Sequence, residues 1–318
     1  MDHPIGKIRL RIGVSACLLG EAVRYDGDSK HCPEVQALAR AFELVPVCPE
    51  VAIGLGVPRP PIQLEGRPEA PRAIGVRERQ LDVSEALLAF GTHIACTLHD
   101  LSGFVLKSRS PSCGVDSVPV HLPDGRPHAH GRGLFARALM NALPLLPVEE
   151  EAALKDPERR DSFFERVFAY ARWQALLVES PTPARLIGFH TDHKLQLMAH
   201  SPGRYRILGQ RLAAGAGGPV APVTRAYGKA FMAALRTPAT PGRHVNVLQH
   251  AMGYLKRTLD PDEKARMHQH LADYRAGRAP LAAPLLALRQ LLERHPHPYL
   301  ARQVYLFPDE QEWRVRFT

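Results

Sequence analysis

The sequence predicts an α/β protein in two parts, an N-terminal domain built on a parallel β-sheet and a mainly α-helical domain behind it. Three observations carry this. The chain has 318 residues, enough for two domains of roughly 150 residues each. Short β-rich runs alternate with helical stretches through residues 1–146, the pattern of a parallel sheet crossed by helices. A break follows at Pro144 to Glu151, two prolines and then three glutamates. Beyond it strand signals are few until the last residues, and apolar residues recur at helical spacing. The domains are therefore drawn at 1–146 and 147–318, with the break as linker.

The elements follow in order. Ile8 to Val14 is β-rich and reads as the first strand. Pro33 to Ala41 reads as a helix, its proline suited to a first turn. Leu44 to Val47 is a short apolar strand. Gly54 to Arg72 is so rich in Pro and Gly that a long loop is expected. Its Gly54-Leu55-Gly56 lacks the third glycine and the strand–turn–helix setting of a nucleotide fingerprint. Val83 to Leu101 has helical character with Ser84 as cap, Gly103 to Lys107 is another strand, and Leu134 to Leu143 is a closing helix. The result is a Rossmann-like arrangement with helices on both faces of the sheet. In the second half, Ser162 and Glu165 form a capping-box pattern, and Phe164, Val167, Phe168, Ala171 and Ala175 follow helical spacing. Val245, Leu248, Met252 and Leu255 do the same, as do Leu281, Leu285, Leu288 and Leu292. Asp260-Pro261-Asp262-Glu263 is a strong helix start.

With 45% apolar and 23% charged residues the composition is that of an ordinary globular chain, long enough to bury a core without staples. Disordered, collagen-like and small disulfide-scaffold classes are excluded. No run of 18 apolar residues exists, so no membrane span is expected. Met1 to Val14 has no continuous apolar segment and the five cysteines are an odd number, so reduced thiols in the cytoplasm are expected. The net charge of +9 is unevenly placed. Residues 1–148 carry 16 Lys/Arg and 15 Asp/Glu, whereas Arg185 to Arg257 carries 11 Lys/Arg and a single acid, Asp192. Such a block favours a polyanionic partner. A solvated basic face is the plainer alternative.

Three cysteines share a setting. Cys17 lies just after the first strand, Cys48 directly follows the second, and Cys113 lies in the loop after Gly103 to Lys107. In a parallel α/β sheet the carboxyl ends of the strands face one crevice, so these thiols are expected at one mouth. Cys96, beside Ile94 and Ala95, is expected to be a buried small apolar residue, and Cys32 begins a helix. Cys32-Pro33-Glu34-Val35 repeats as Cys48-Pro49-Glu50-Val51. Spacing alone does not choose between the copies, though placement at a strand end favours Cys48. A closed zinc site wants four ligands, commonly in Cys-x-x-Cys pairs, and none is present. Three cysteines can hold a cubane iron–sulfur cluster and leave one iron open; unconnected core thiols are the alternative.

The motifs around these cysteines are long. Val14-Ser15-Ala16-Cys17-Leu18-Leu19-Gly20, Arg24-Tyr25-Asp26-Gly27, Val47-Cys48-Pro49-Glu50-Val51, Pro58-Arg59-Pro60-Pro61 and Lys107-Ser108-Arg109-Ser110-Pro111-Ser112-Cys113-Gly114 resemble the thiouracil desulfurase family, in order across about the first 145 residues. Lys194 to Pro202 and Asn246 to Tyr254 resemble the YbgA-type domain that is often fused behind it. The fused form resembles bacterial desulfidases acting on 4-thiouridine in tRNA. The resemblance implies a [4Fe-4S] cluster with three cysteine ligands, Cys17, Cys48 and Cys113, and one open iron. It selects the second copy of the repeated motif and leaves the role of Cys32 open.

The chemistry so implied is hydrolytic. A soft open iron polarises a thiocarbonyl for attack by water, and thiouridine becomes uridine with release of hydrogen sulfide and no net redox change. Glu50, two residues from Cys48, is the first candidate for general acid/base, against the plainer role of a helix cap. Ser110 is placed to donate to the base, against a turn-forming role. Lys107 and Ser108 close a strand and reach the mouth, where Lys107 steadies negative charge. Arg24, Asp26 and Arg59 are further pocket candidates, with surface ion pairs as the alternative. His190, His193 and His200 read as surface histidines on a basic helix rather than a metal site. They sit among Lys194, Arg204, Tyr205, Arg206 and Arg211, cations interleaved with an aromatic that suit RNA phosphates and an exposed base. Two other readings stand beside the tRNA enzyme: a desulfurase of free thiouracil or another thiolated pyrimidine, and a non-catalytic cluster protein that binds nucleic acid and senses oxygen or iron.

Overall fold

A computed structural model describes residues 9–317 apart from 123, 125 and 216. The chain forms two compact units, one reaching Ala171 and one beginning at Arg172. The stretch read as a linker is not one, because Val148–Glu150 is a strand of the first unit's sheet.

In the first unit the elements are β1 (Arg11–Ser15), α1 (Pro33–Ala37), β2 (Glu43–Val47), α2 (Pro49–Ala52), β3 (Ile62–Arg67) and β4 (Ala70–Gly75). They continue as α3 (Ser84–Thr97), β5 (Leu101–Leu106), β6 (Val118–His121), β7 (Pro127–Gly131), α4 (Leu134–Ala142), β8 (Val148–Glu150) and α5 (Pro157–Val178), the last two turns of which belong to the second unit. The predicted start of the first strand at Ile8 lies outside the described residues. Strands β2-β1-β5-β8, in that order, form an all-parallel sheet. The α/β reading of this part of the chain is borne out.

Alternation along β5 shows why helices cover both faces. Successive strand residues point to opposite sides. Phe104 meets Phe135 of α4 edge-on at 5.9 Å, whereas Gly103 leaves room for Val167 and Phe163 of α5. Gly13 of β1 is required by the same packing, since a Cβ there would lie 2.4 Å from the Phe104 ring. Phe42 stacks on Phe164 at 5.6 Å, and each such fully buried side chain contributes about 1.5–3 kcal/mol relative to exposure. These contacts carry the first unit well past residue 146, the boundary drawn from the sequence.

A second sheet, β4-β3-β6-β7, corrects the expected long loop at Gly54 to Arg72. β3 and β4 form an antiparallel hairpin closed at Arg67↔Ala70, with Ile62, Leu64, Ala73, Val118 and Val120 in its core. Pro71 is tolerated in β4 because β4 is an edge strand.

The second unit holds α6 (Pro183–Asp192), α7 (Lys194–His200), α8 (Pro202–Ala214), α9 (Val220–Leu235) and α10 (Pro241–Tyr254). After them come α11 (Pro261–Arg275), α12 (Ala282–Arg294), α13 (Pro298–Ala301) and α14 (Glu310–Phe317). The predicted apolar faces form its core, with Leu248, Leu255, Leu285, Leu288 and Leu292 buried together. α11 starts with the expected cap, Asp260 accepting from the Glu263 amide at 2.7 Å and Glu263 from the Asp260 amide. The capping box at Ser162 does not form. α5 begins earlier, at Pro157, where the Asp156 carboxylate accepts from the Glu158 and Arg159 amides. No helix among the described residues is long and apolar enough to cross a membrane.

Candidate active site

The four parallel strands end on one side, and each delivers part of the site. β1 leads into a short 3-10 turn that carries Cys17. β2 leads into Cys48, which N-caps α2 with Pro49 in its first turn and Glu50 next. β5 leads into Lys107 and the loop to Cys113, and β8 into Glu151. Strand order reverses between β1 and β5, a switch point of the kind that opens a ligand crevice. A cavity of about 450 Å³ opens there, with Cys17, Cys48, Cys113, Glu50, Lys107 and Ser110 among its walls. Cys113 is buried, the other two half-buried. Desolvation pushes the Cys17 thiol up to about 11, and the Cys48 and Cys113 thiols up as well.

The repeated tetrapeptide folds the same way twice, for Cys32 also N-caps a helix with proline behind it. Only the second copy follows a strand of this sheet. Cys32 is buried away from the cavity and its thiol donates to Glu34 at 3.2 Å. Cys96, expected to be buried, is exposed on α3.

Glu50 is braced on both oxygens. Arg59 Nε donates to one at 2.8 Å and Ser112 Oγ to the other at 2.8 Å. The Arg59 side chain is 3% exposed and Glu50 14%. Arg59 also donates to the carbonyls of Gly56 and Val23, each at 2.8 Å, so it holds Glu50 and the loops around it rather than standing free. Ser110 Oγ accepts from the amides of Ser112 and Cys113, which shapes the turn and leaves its O–H to donate. Arg24 pairs with Asp26 at 3.0 Å and holds that carboxyl down at about 2; Arg24 lines the cavity.

Several contributions to the site were not legible in the sequence. Ser112 is fully buried behind Glu50. Glu151, read as linker, gathers Lys107 Nζ, the Ser108 amide at 2.6 Å and Ser108 Oγ at 2.8 Å. Glu150 accepts from the Val115 amide at 2.7 Å and Ser117 Oγ at 2.6 Å. The acids at 149–151 signalled a charge run, and only the pairing of β8 with β5 reveals their role. The loop is fixed from below by α4, whose first amides reach the carbonyls of Pro111 and Ser112. A Cβ on Gly133 would lie 2.5 Å from the Ser112 carbonyl. At the rim, Lys30 and Arg109 are exposed cations that meet no carboxylate among the described residues, and Tyr25 is 43% exposed. Arg109 holds a left-handed backbone, φ 59°, an uncommon state for a non-glycine residue.

Glu151→Gln keeps an acceptor for Ser108 but removes the counter-charge of Lys107. The urea midpoint should fall by the equivalent of about 2 kcal/mol, the scale of a charged hydrogen bond lost from a sheltered site. An unchanged midpoint would remove Glu151 from the support of the loop.

In the helical unit the three histidines are buried rather than on the surface, because α6 and α7 turn them inward. His190 meets Tyr227 Oη at 3.2 Å, His193 the Phe189 carbonyl at 2.8 Å and His200 the Thr237 carbonyl at 2.7 Å. Burial pulls His190 down to about 4. Arg204, Arg206 and Arg211 are exposed on α8. Arg204 and Arg211, seven residues apart, share one face, and Arg206 is carried to the opposite side. Lys194 lies apart from them in sequence, at the start of α7.

Comparison with known proteins places this architecture. A family model described as 2-thiouracil desulfurase matches residues 12–151, and one described as protein of unknown function (DUF1722) matches residues 194–309. YbgA of Escherichia coli strain K12 is 31% identical over 146 residues, 46% of this chain and 86% of the relative. YbbK of Bacillus subtilis strain 168 is 30% identical over 112 residues, 32% of this chain and 71% of the relative. A solved structure, the [4Fe-4S]-dependent thiouracil desulfidase TudS, is 33% identical with a TM-score of 0.37, covering 46% of this chain and 95% of that one. The class is therefore a desulfurase module followed by a helical module. The chain belongs to the thiouracil desulfurase family in the form that carries a YbgA-type domain behind it.

Proposed function

We propose that this protein is a hydrolytic desulfidase of thiolated pyrimidines, with a [4Fe-4S] cluster on Cys17, Cys48 and Cys113 and 4-thiouridine in tRNA as substrate. The observation that carries the reading is the convergence of three thiols and a braced carboxylate on one cavity. The donor set fits the group. Three soft sulfurs share the wall with no fourth cysteine among its lining residues. Among the described residues no three His, Cys, Asp or Glu side chains converge on a single ion. Three cysteines can hold a [4Fe-4S] cluster and leave its fourth iron without a protein ligand. When bound, the cluster supplies an open iron, a soft Lewis acid for a thiocarbonyl sulfur.

The chain's own groups do the rest. A carboxylate has about four acceptor sites. Arg59 and Ser112 use two and leave Glu50 others, on the cavity side, to take a proton from water and return it. Ser110 donates to the base. Lys107, with Ser108 beside it and both steadied by Glu151, offsets negative charge as sulfur departs. Arg24, held by Asp26, forms one side of the entrance.

The substrate enters as a nucleotide rather than a bare base. Lys30 and Arg109, which meet no carboxylate among the described residues, suit a phosphate at the rim, and the exposed ring of Tyr25 suits a base. On the helical unit Lys194, Arg204, Arg206 and Arg211 add phosphate contacts within the basic block. A cavity of about 450 Å³ also suits a free thiolated pyrimidine, which keeps that reading as the second. The sensor reading is weaker, since a sensor needs no braced carboxylate beside its cluster.

Charge reversal at Arg204, Arg206 and Arg211 separates the first two. Activity on thiolated tRNA should fall severely and with a steep salt dependence, while activity on free 4-thiouracil barely changes. Paired anaerobic rate assays at low and moderate salt read this. No loss on either substrate would leave the free-base enzyme as the better account.

A further inference from the structure

The two motifs of the helical unit, Lys194 to Pro202 and Asn246 to Tyr254, meet away from its arginines. Tyr254, the last residue of α10, is 39% exposed. His250 lies edge-on to it at 5.4 Å, His297 at 5.2 Å, and Tyr299 is tilted against it at 5.0 Å. The ammonium of Lys194 stands 5.4 Å from the centre of the Tyr299 ring and meets no carboxylate among the described residues. One polar atom here, His297 Nδ1, is buried without a hydrogen-bond partner, and the buried Tyr299 hydroxyl is turned to Tyr254. Buried polar groups left in this way cost stability unless something pairs with them. Asp192, whose field reaches Tyr299, is held by Arg302 at 3.0 Å.

We propose that Lys194, His250, Tyr254, His297 and Tyr299 form a binding site for one unstacked nucleotide of an RNA strand. The chemistry matches part by part. Tyr254 offers an aromatic ring at the surface on which a base stacks. Lys194 offers a cation for the adjoining phosphate, already placed over a π-face. The unsatisfied His297 nitrogen offers a polar atom to a base edge or ribose. Burial, and then the charge of Lys194, lower the pKa of His250, so its neutral ring offers one donor and one acceptor. The site rests on the tRNA reading above and adds a contact that the surface arginines do not supply.

Fluorescence anisotropy of the full-length protein with end-labelled single-stranded oligouridylate, with a duplex RNA of equal length and with unmodified tRNA tests it. Wild type should prefer the single strand to the duplex. Tyr254→Ala should weaken single-strand binding between about 5-fold and about 150-fold, the range of one lost base–aromatic stack, and Tyr254→Phe should restore it. Lys194→Gln should weaken binding and lower the salt slope by about 1. Uridine monophosphate that competes as well as the oligonucleotide would overturn the strand in favour of a free nucleotide. If wild type binds tRNA and Tyr254→Ala and Lys194→Gln, folded by thermal melting, bind it equally well, this site is wrong and the tRNA reading stands. If wild type binds none of the RNAs, both fall.

Discussion

Replacing Cys17, Cys48 or Cys113 by alanine is expected to give a colourless protein without turnover, while Cys32→Ala and Cys96→Ala stay brown and active. The prediction rests on position. The first three thiols line one cavity, Cys32 N-caps α1 and is turned to Glu34, and Cys96 is exposed on α3. Each of the three would ligate one iron, and no fourth cysteine among the cavity's lining residues replaces a missing sulfur. Iron and acid-labile sulfide, measured anaerobically on all five variants, read the result. Retained iron in Cys48→Ala together with lost iron in Cys32→Ala would reverse the assignment of the repeated motif.

Glu50→Gln should cut turnover by about 10² to 10⁴, the usual contribution of a general acid/base, in a protein that keeps its cluster. The amide keeps the shape and can still accept from Ser112, but it carries no charge against Arg59. Leaving a buried guanidinium uncompensated costs of the order of 3 kcal/mol, so the melting temperature should drop as well. Glu50→Asp separates the two effects. It restores a charge near Arg59 and should regain stability, yet it withdraws the carboxylate from the cavity and should not regain turnover. Wild-type turnover in a brown Glu50→Gln protein would remove Glu50 from the chemistry.

How far these residues were legible in the sequence follows from what each depends on. Cys17, Cys48, Glu50 and the loop to Cys113 stand within a few residues of strand ends, and strand ends show as short apolar runs, so their convergence was readable before any coordinates. The second sheet was hidden by Pro60, Pro61, Pro68 and Pro71. Proline signals loop, yet an edge strand such as β4 accepts it. Glu150 and Glu151 were hidden for a different reason. Their partners, Ser117 and Lys107, are distant along the chain, and a run of acids after two prolines looks like a linker. The bracing of Glu50 by Ser112 and Arg59 needs three loops at once and leaves no local trace. His190, His193 and His200 misled because a basic stretch suggests solvent, whereas α6 and α7 turn these rings into the core.

The central claim is that the cavity removes sulfur from a thiolated pyrimidine by hydrolysis. The most direct test is anaerobic reconstitution with iron and sulfide, followed by incubation with 4-thiouridine-bearing tRNA while the thiocarbonyl absorbance is followed. The account predicts loss of that absorbance, one hydrogen sulfide released for each uridine formed, and no requirement for an added electron donor or acceptor. A fully loaded brown protein that leaves both thiolated tRNA and free 4-thiouracil unchanged would contradict it.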